Sequence, residues 1–292
     1  MSLKIEIPLD HQITTIRDFS KLFNSIRTCD LLPNVDVTNY PYFNPKEILM
    51  LTQYFVVQNS HKIDGYINVD NRRGWYIEAI DLAGFCNTNY KKPKNLPQSI
   101  STAIPIKRID ISTMDAYIFD AKQFFSTFCK GKDISVLSIC ISEIINNVYD
   151  HSRSEYDAFI FSQYYPTNRQ IKFAISDLGI GITRTVNDFL TTINKEQLKN
   201  IDALKWALVR NNTVKSKKHN AGAGLDNILS YLHGVGNIEI FTNDVYCSFD
   251  KNKQIYFGKN PISEFIGTLI EITINIHKLD PIDETILEDI TF

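Results

Sequence analysis

The sequence lacks most of what would assign a protein to a class at once. Basic residues (31) are slightly outnumbered by acidic ones (33), for a net charge of −2. There is no basic excess with which to track a phosphate backbone, so no nucleic-acid partner is expected. No apolar run is long enough to cross a bilayer, and the chain does not open on the basic-then-apolar pattern of a signal peptide, so no membrane partner is expected either. The cysteines (Cys29, Cys86, Cys129, Cys140, Cys247) are odd in number and widely spaced, with no Cys-x-x-Cys pair. That argues against a disulfide framework or a zinc site. Most have apolar neighbours and read as buried thiols of a cytoplasmic protein. Repeats and low-complexity segments are also missing. What remains is 292 residues, 43% hydrophobic and 22% charged, the composition of a globular protein with room for two compact domains.

A polar, twice proline-broken stretch at 87–105 marks the domain joint, giving a small α/β domain over 1–95 and a second domain over 96–292. In the first, 4–7, 35–37 and 65–69 read as strands. Residues 13–27 carry apolar side chains at helical spacing. Asn44 before Pro45 is a helix start that continues through 48–57, and 75–85 reads as a further helix. In the second domain, 103–108 is a strand. Ser112 and Asp115 resemble a capping box opening a helix to about Lys130, and 134–149 is another helix. Strands follow at 158–164 and 170–176, then a helix near 225–233 and strands near 238–242, 253–257 and 269–276. Helices first and adjacent strands later predict an α+β fold, with helices on one face of a mixed sheet.

Four short motifs carry chemistry. In the helix over 134–149, Glu143 and Asn147 are one turn apart and share a face, with Asp150 and His151 following, while Ile141, Ile144, Ile145 and Val148 point elsewhere. An amide oxygen suits Mg²⁺, and a carboxylate one turn away can orient or deprotonate a nucleophile. Next, Asp177-Leu-Gly-Ile-Gly181 ends an apolar strand. An Asp there can accept from an exocyclic amine, and Gly179 and Gly181 let backbone approach a flat base. The glycine spacing is neither Rossmann nor Walker. Third, Gly222-Ala-Gly224-Leu225 opens a helix behind the basic Lys215-Ser-Lys-Lys-His219, with Lys217 and Lys218 beside the turn, an anion cradle in form. Fourth, Gly267-Thr268 opens an alternating strand, with the Thr268 hydroxyl within reach of Asp177 through water. Taken singly, these are a solvated helix face, a glycine turn, a basic loop and a core strand.

Their order is more specific than any one of them. Glu-x-x-x-Asn on a helix, D-x-G-x-G, a flexible stretch, G-x-G-L and a Gly-Thr strand resemble the GHKL (histidine kinase-like) ATPase superfamily over roughly 105–280, most closely its anti-sigma-factor serine kinases. The resemblance implies a two-layer α/β sandwich of the Bergerat type, ATP and Mg²⁺ as ligands, and a protein partner or substrate, with a homodimer as one arrangement. Asn147 would ligate Mg²⁺ and Glu143 would be the general base. Asp177 would bind adenine in a pocket lined by Gly179, Gly181 and Thr268. Gly222, Gly224 and Leu225 would close over the phosphates, with Lys217 or Lys218 neutralising charge, and 182–221 would be the ATP lid. His151 matches the His of Asn-x-x-x-His in the anti-sigma kinases. No phosphoacceptor-histidine helix precedes Glu143, so a self-phosphorylating histidine kinase is not expected. The N-terminal region, 1–95, resembles a STAS domain, a docking or regulatory fold, in its order of short strands and helices and especially over 35–49, but Asn44-Pro45-Lys46 stands where that family often carries a phosphorylatable serine. The resemblance thus implies an Mg-ATP-dependent ATPase or protein Ser/Thr kinase. The alternative is a non-hydrolysing, ATP-gated interaction switch in a partner-switching system.

Overall fold

The structure, a computed structural model, describes residues 11–91, 100–209, 224–249 and 255–282. The strand expected at 4–7 lies outside them. The Asn44-Pro45 signal does what its chemistry requires. Helix α2 (Pro45–Ser60) starts there and is closed by a capping box in which Glu47 Oε2 accepts the Asn44 N–H at 2.7 Å. Most of α2 is buried around its whole circumference, which a helix tolerates only when covered on more than one side.

One cover is a four-stranded sheet of β1 (His11–Gln12), β2 (Asn34–Asp36), β3 (Tyr66–Asn68) and β4 (Asn87–Thr88), in that order and parallel throughout. Parallel neighbours need crossovers. These are α1 (Phe19–Thr28), α2 and α3 (Asn71–Ala79). The helix expected over 75–85 therefore starts earlier, because Asp70 caps it by accepting the Arg73 N–H at 2.9 Å; a 3₁₀ turn (Leu82–Gly84) follows.

The other cover is a seven-stranded sheet. Its strands are β5 (Ala103–Ile109), β6 (Ala158–Tyr165), β7 (Gln170–Asp177), β8 (Gly236–Asn243), β9 (Val245–Phe249), β10 (Ile255–Lys259) and β11 (Phe265–Asn275), in the order β10-β9-β8-β11-β7-β6-β5. Every neighbouring pair is antiparallel. That corrects the mixed sheet expected from sequence. The added strand β9 lies between β8 and β10 and is antiparallel to both, so it sets the direction of β10.

The remaining helices are α4 (Met114–Ser126), α5 (Ser135–His151), α6 (Ile182–Thr192), α7 (Asn200–Ala207) and α8 (Gly224–Leu232). The capping box expected at Ser112–Asp115 does not form. Asp110 Oδ1 takes the N–H groups of Ser112 (2.7 Å) and Thr113 (3.0 Å) instead, and α4 begins at Met114.

Strand alternation divides the large sheet between two cores. Ile171, Phe173, Ile175, Ile238, Ile240, Ile270 and Ile272 pack with α4, α5 and α8. Phe159, Phe161, Ala174, Phe241 and Leu269 pack with Leu49, Tyr54 and Phe55 of α2 in a cluster that also holds Val35 and Ile67 of the parallel sheet. The helix-on-sheet sandwich thus carries a third layer, α2 and its parallel sheet, on its other face. The fold is α+β, with one parallel and one antiparallel sheet. Among the described residues no helix is long and apolar enough to cross a membrane. All the cysteines are free; Cys129, Cys140 and Cys247 are buried, whereas Cys29 is exposed.

Candidate functional site

Helix α5 turns Leu137, Cys140, Ile141, Ile144 and Ile145 inward. The helical period then leaves Glu143 and Asn147 half-buried on its flank, followed by exposed Asp150 and half-buried His151. Asn147 Nδ2 is sealed from solvent with no hydrogen-bond partner among the described residues. A buried polar atom in that state costs about 1–3 kcal/mol, and native structures keep few of them without reason.

At the end of β7, Asp177 follows Ile171, Phe173 and Ile175 on the same face, the one that α5 covers. It is 2% exposed. Gly179 N–H donates to its Oδ1 at 2.7 Å. Burial pushes the Asp177 carboxyl up to about 7, with only the Gly179 and Thr268 N–H groups pulling the other way. The register places Asp177 opposite Thr268 and Thr268 opposite Thr242, so the three form a row across β7, β11 and β8. Thr242 Oγ1 accepts the Ile182 N–H at 2.9 Å and donates to the Gly267 carbonyl at 3.1 Å.

Close backbone approach explains two of the glycines. The strand β11 is irregular between Phe265 and Thr268, and Gly267 there has φ +91°. A Cβ on Gly267 would overlap the Asp177 carbonyl oxygen. A Cβ on Gly179 would overlap the carbonyl oxygen of Ser152, the residue that ends α5. That same oxygen accepts the Ile180 N–H at 2.8 Å. The end of α5 and the D-L-G-I-G loop are therefore clasped backbone to backbone. Gly179→Ala should force the clasp apart, lowering thermal stability by several degrees and exposing Asp177. An unchanged melting curve would show that the loop is not held by this contact.

Gly181 is the N-cap residue of α6. Gly224 and Leu225 begin α8, which packs on α5 on the same face as Asp177. Lys217, Lys218 and Gly222 lie outside the described residues. The first part of the expected lid is ordered helix: α6 and α7 pack through Val186, Leu190 and Ala203, with Phe189 and Trp206 rings 5.9 Å apart. Sequence reasoning missed three residues that fix the loop. Thr242 and Ser152 act as above. Asn243 donates from Nδ2 to the Ile180 carbonyl at 3.1 Å and accepts from Thr183 Oγ1 at 2.6 Å. Its φ of +50° belongs to the β8–β9 turn, and the Asn243-Asp244 pair was the turn signal that would have revealed β9.

A crevice of about 840 Å³ lies beyond the loop, lined among others by Arg153, Tyr156, Gly179, Asn187, Asp188 and Gly267. Neither Asn147 nor Asp177 lines it, so it is not where the sequence-predicted residues converge. Arg153 pairs there with Asp188 at 2.9 Å, tying the segment after α5 to α6. Among the described residues no three His, Cys, Asp or Glu side chains gather as a metal cluster. An ion held by one amide oxygen, phosphates and water would need none.

No protein-family model matches the chain, and no curated protein matches it.

Proposed function

We propose that this chain binds Mg-ATP between α5 and the end of β7, in the manner of the GHKL ATPases. The observation that carries the reading is Asp177: a buried carboxyl with no cation beside it among the described residues, on the α5 face of the sheet, in a loop whose glycines leave room for nothing larger. Such an acceptor suits an exocyclic amine. The donor set on α5 fits Mg²⁺. Asn147 would hold it through its amide oxygen, and the ion would neutralise phosphate charge. The sealed Nδ2 is then understood as the cost of holding that oxygen in place. Glu143, one turn earlier, would take the proton of the attacking water or protein hydroxyl. The parallel-sheet unit would serve as a STAS-like docking or regulatory domain for a protein partner.

The burial of α2 against the back of the sheet favours the switch as a second reading, because a domain fixed there is placed to respond to occupancy. Hydrolysis by wild type and Glu143→Ala separates the two. Both should bind ATP, with turnover at least about 100-fold lower in the variant. Equal, negligible turnover in both would leave the switch. Asn147→Ala should remove the Mg²⁺ dependence of binding, measured by titration with and without a chelator. Retained dependence would refute the ligand role.

A further inference from the structure

Directly behind Asp177, on the face turned toward α2, a polar pair sits in an otherwise apolar core. Gln53 and Ser176 are both fully buried. Gln53 Nε2 donates to the Ser176 carbonyl at 2.9 Å. Gln53 Oε1 and Ser176 Oγ, however, have no hydrogen-bond partner among the described residues. Their surroundings include Phe159, Phe161, Ala174 and Leu269. Each orphaned oxygen costs about 1–3 kcal/mol, and an apolar pair of the same shape would carry no such cost. A change of side-chain conformation in which Ser176 Oγ donates to Gln53 Oε1 would satisfy both oxygens at once.

The helix that carries Gln53 is held at both ends. At its first turn Lys46 pairs with Glu239 and Glu271, and at its last residue Ser60 shares a hydrogen bond with Tyr156 at 3.3 Å. Beside it, Tyr76 Oη of α3 donates to Gln163 of β6 at 2.8 Å. The end of β7 is held as well, between β6 and β11, so the change at the pair falls on the Gln53 and Ser176 side chains.

We propose that Gln53 is a positioning residue for the nucleotide site. It holds β7 one residue before Asp177, and the Gln53–Ser176 pair closes its missing hydrogen bond when an adenine amine engages Asp177 from the other face. Nucleotide affinity then depends on the docking of the parallel-sheet unit, and by reciprocity nucleotide tightens that docking. The inference rests on the nucleotide reading and adds to it the route by which the unit behind the sheet responds.

Ser176→Ala distinguishes this from a structural contact. The substitution removes an unsatisfied hydroxyl, so the nucleotide-free variant should melt at the wild-type temperature or above. Its affinity for Mg-ATP, measured by calorimetry, should fall about 5- to 10-fold, the lower part of the range for coupled sites. Hydrogen exchange of α2 amides should slow on adding Mg-ATP to wild type and change little in the variant. Gln53→Met, which keeps shape and removes the amide, should weaken affinity at least as much. Unchanged Ser176→Ala affinity, or stability and affinity falling together, overturns the proposal. A wild-type chain that binds no nucleotide removes the nucleotide reading and this inference with it. Binding that ignores both substitutions removes the inference alone.

Discussion

At pH 8, Asp177→Asn is expected to melt a few degrees higher than wild type while binding Mg-ATP at least about tenfold more weakly. The two halves share one cause. Burial raises the folded-state carboxyl from 3.8 to about 7, so between those values the folded protein holds a proton that the unfolded chain has released. Stability from this group is full below about 3.9 and is lost as pH rises toward 7. Above that, an ionised carboxylate is confined where it is poorly solvated, at an upper limit of about 4 kcal/mol. An amide has no charge to confine. Its Nδ2 needs a partner, so the net gain should be about 1–3 kcal/mol. At pH 5 the two proteins should melt closer together. In wild type, ATP affinity should rise between pH 6 and 8, since the carboxylate is the better acceptor for an amine. Calorimetric melting at pH 5 and 8 is the check. A variant no more stable at pH 8, with undiminished affinity, would remove Asp177 from the site.

A loss of stability is expected from Lys46→Met. The Lys46 ammonium lies between Glu239 and Glu271, at 3.3 Å from the latter, and its backbone N–H also donates to Glu271 Oε2 at 2.9 Å. Burial works to raise Glu239, and the ammonium overcomes it and holds that carboxyl below its usual value. For Glu271, deeper in the core, burial wins. Glu47 nearby is pushed up to about 7 by burial as well. Methionine keeps the stem and the backbone bond but leaves like charges facing each other out of water. Removing one partner of a buried pair costs about 3–5 kcal/mol, which here means a Tm about 10 °C lower at pH 8. Acidification should restore the variant, because carboxyls with raised folded pKa values contribute stability that is full below about 4.3 and is lost as pH rises. A loss that stays constant from pH 5 to 8 would trace it to packing of the stem and not to charge. Lys172, which donates to Asn44 at 2.8 Å, is a cation left nearby and sets how much of the loss is realised.

What could be read in the sequence was local. The start of α2 is dictated by Asn44, Pro45 and Glu47 within one turn. The α5 stripe and the D-L-G-I-G turn follow from spacing alone. What could not be read depends on register and on distant partners. Nothing near Lys46 announces Glu239 or Glu271, which lie 193 and 225 residues away. The row Asp177–Thr268–Thr242 exists only because β11 returns between β7 and β8. The apolar run 48–57 did hold one unread clue. A helix apolar on every side calls for two covers, and that foretold the third layer behind the sheet.

The place of β11 also sets the order in which the molecule can come into being. It is the last strand of the large sheet in the sequence, yet it lies in the sheet's interior, between β7 and β8. Until it is made, β5–β6–β7 and β8–β9–β10 are separate three-stranded ribbons, each with an apolar edge open to wrong partners. Asp177 then lacks both the strand opposite and the Thr268 N–H. During synthesis the first ribbon is complete once Asp177 is made but waits until β11, from Phe265 on, for its edge to be covered, and the second ribbon exists only briefly before β11 joins the two.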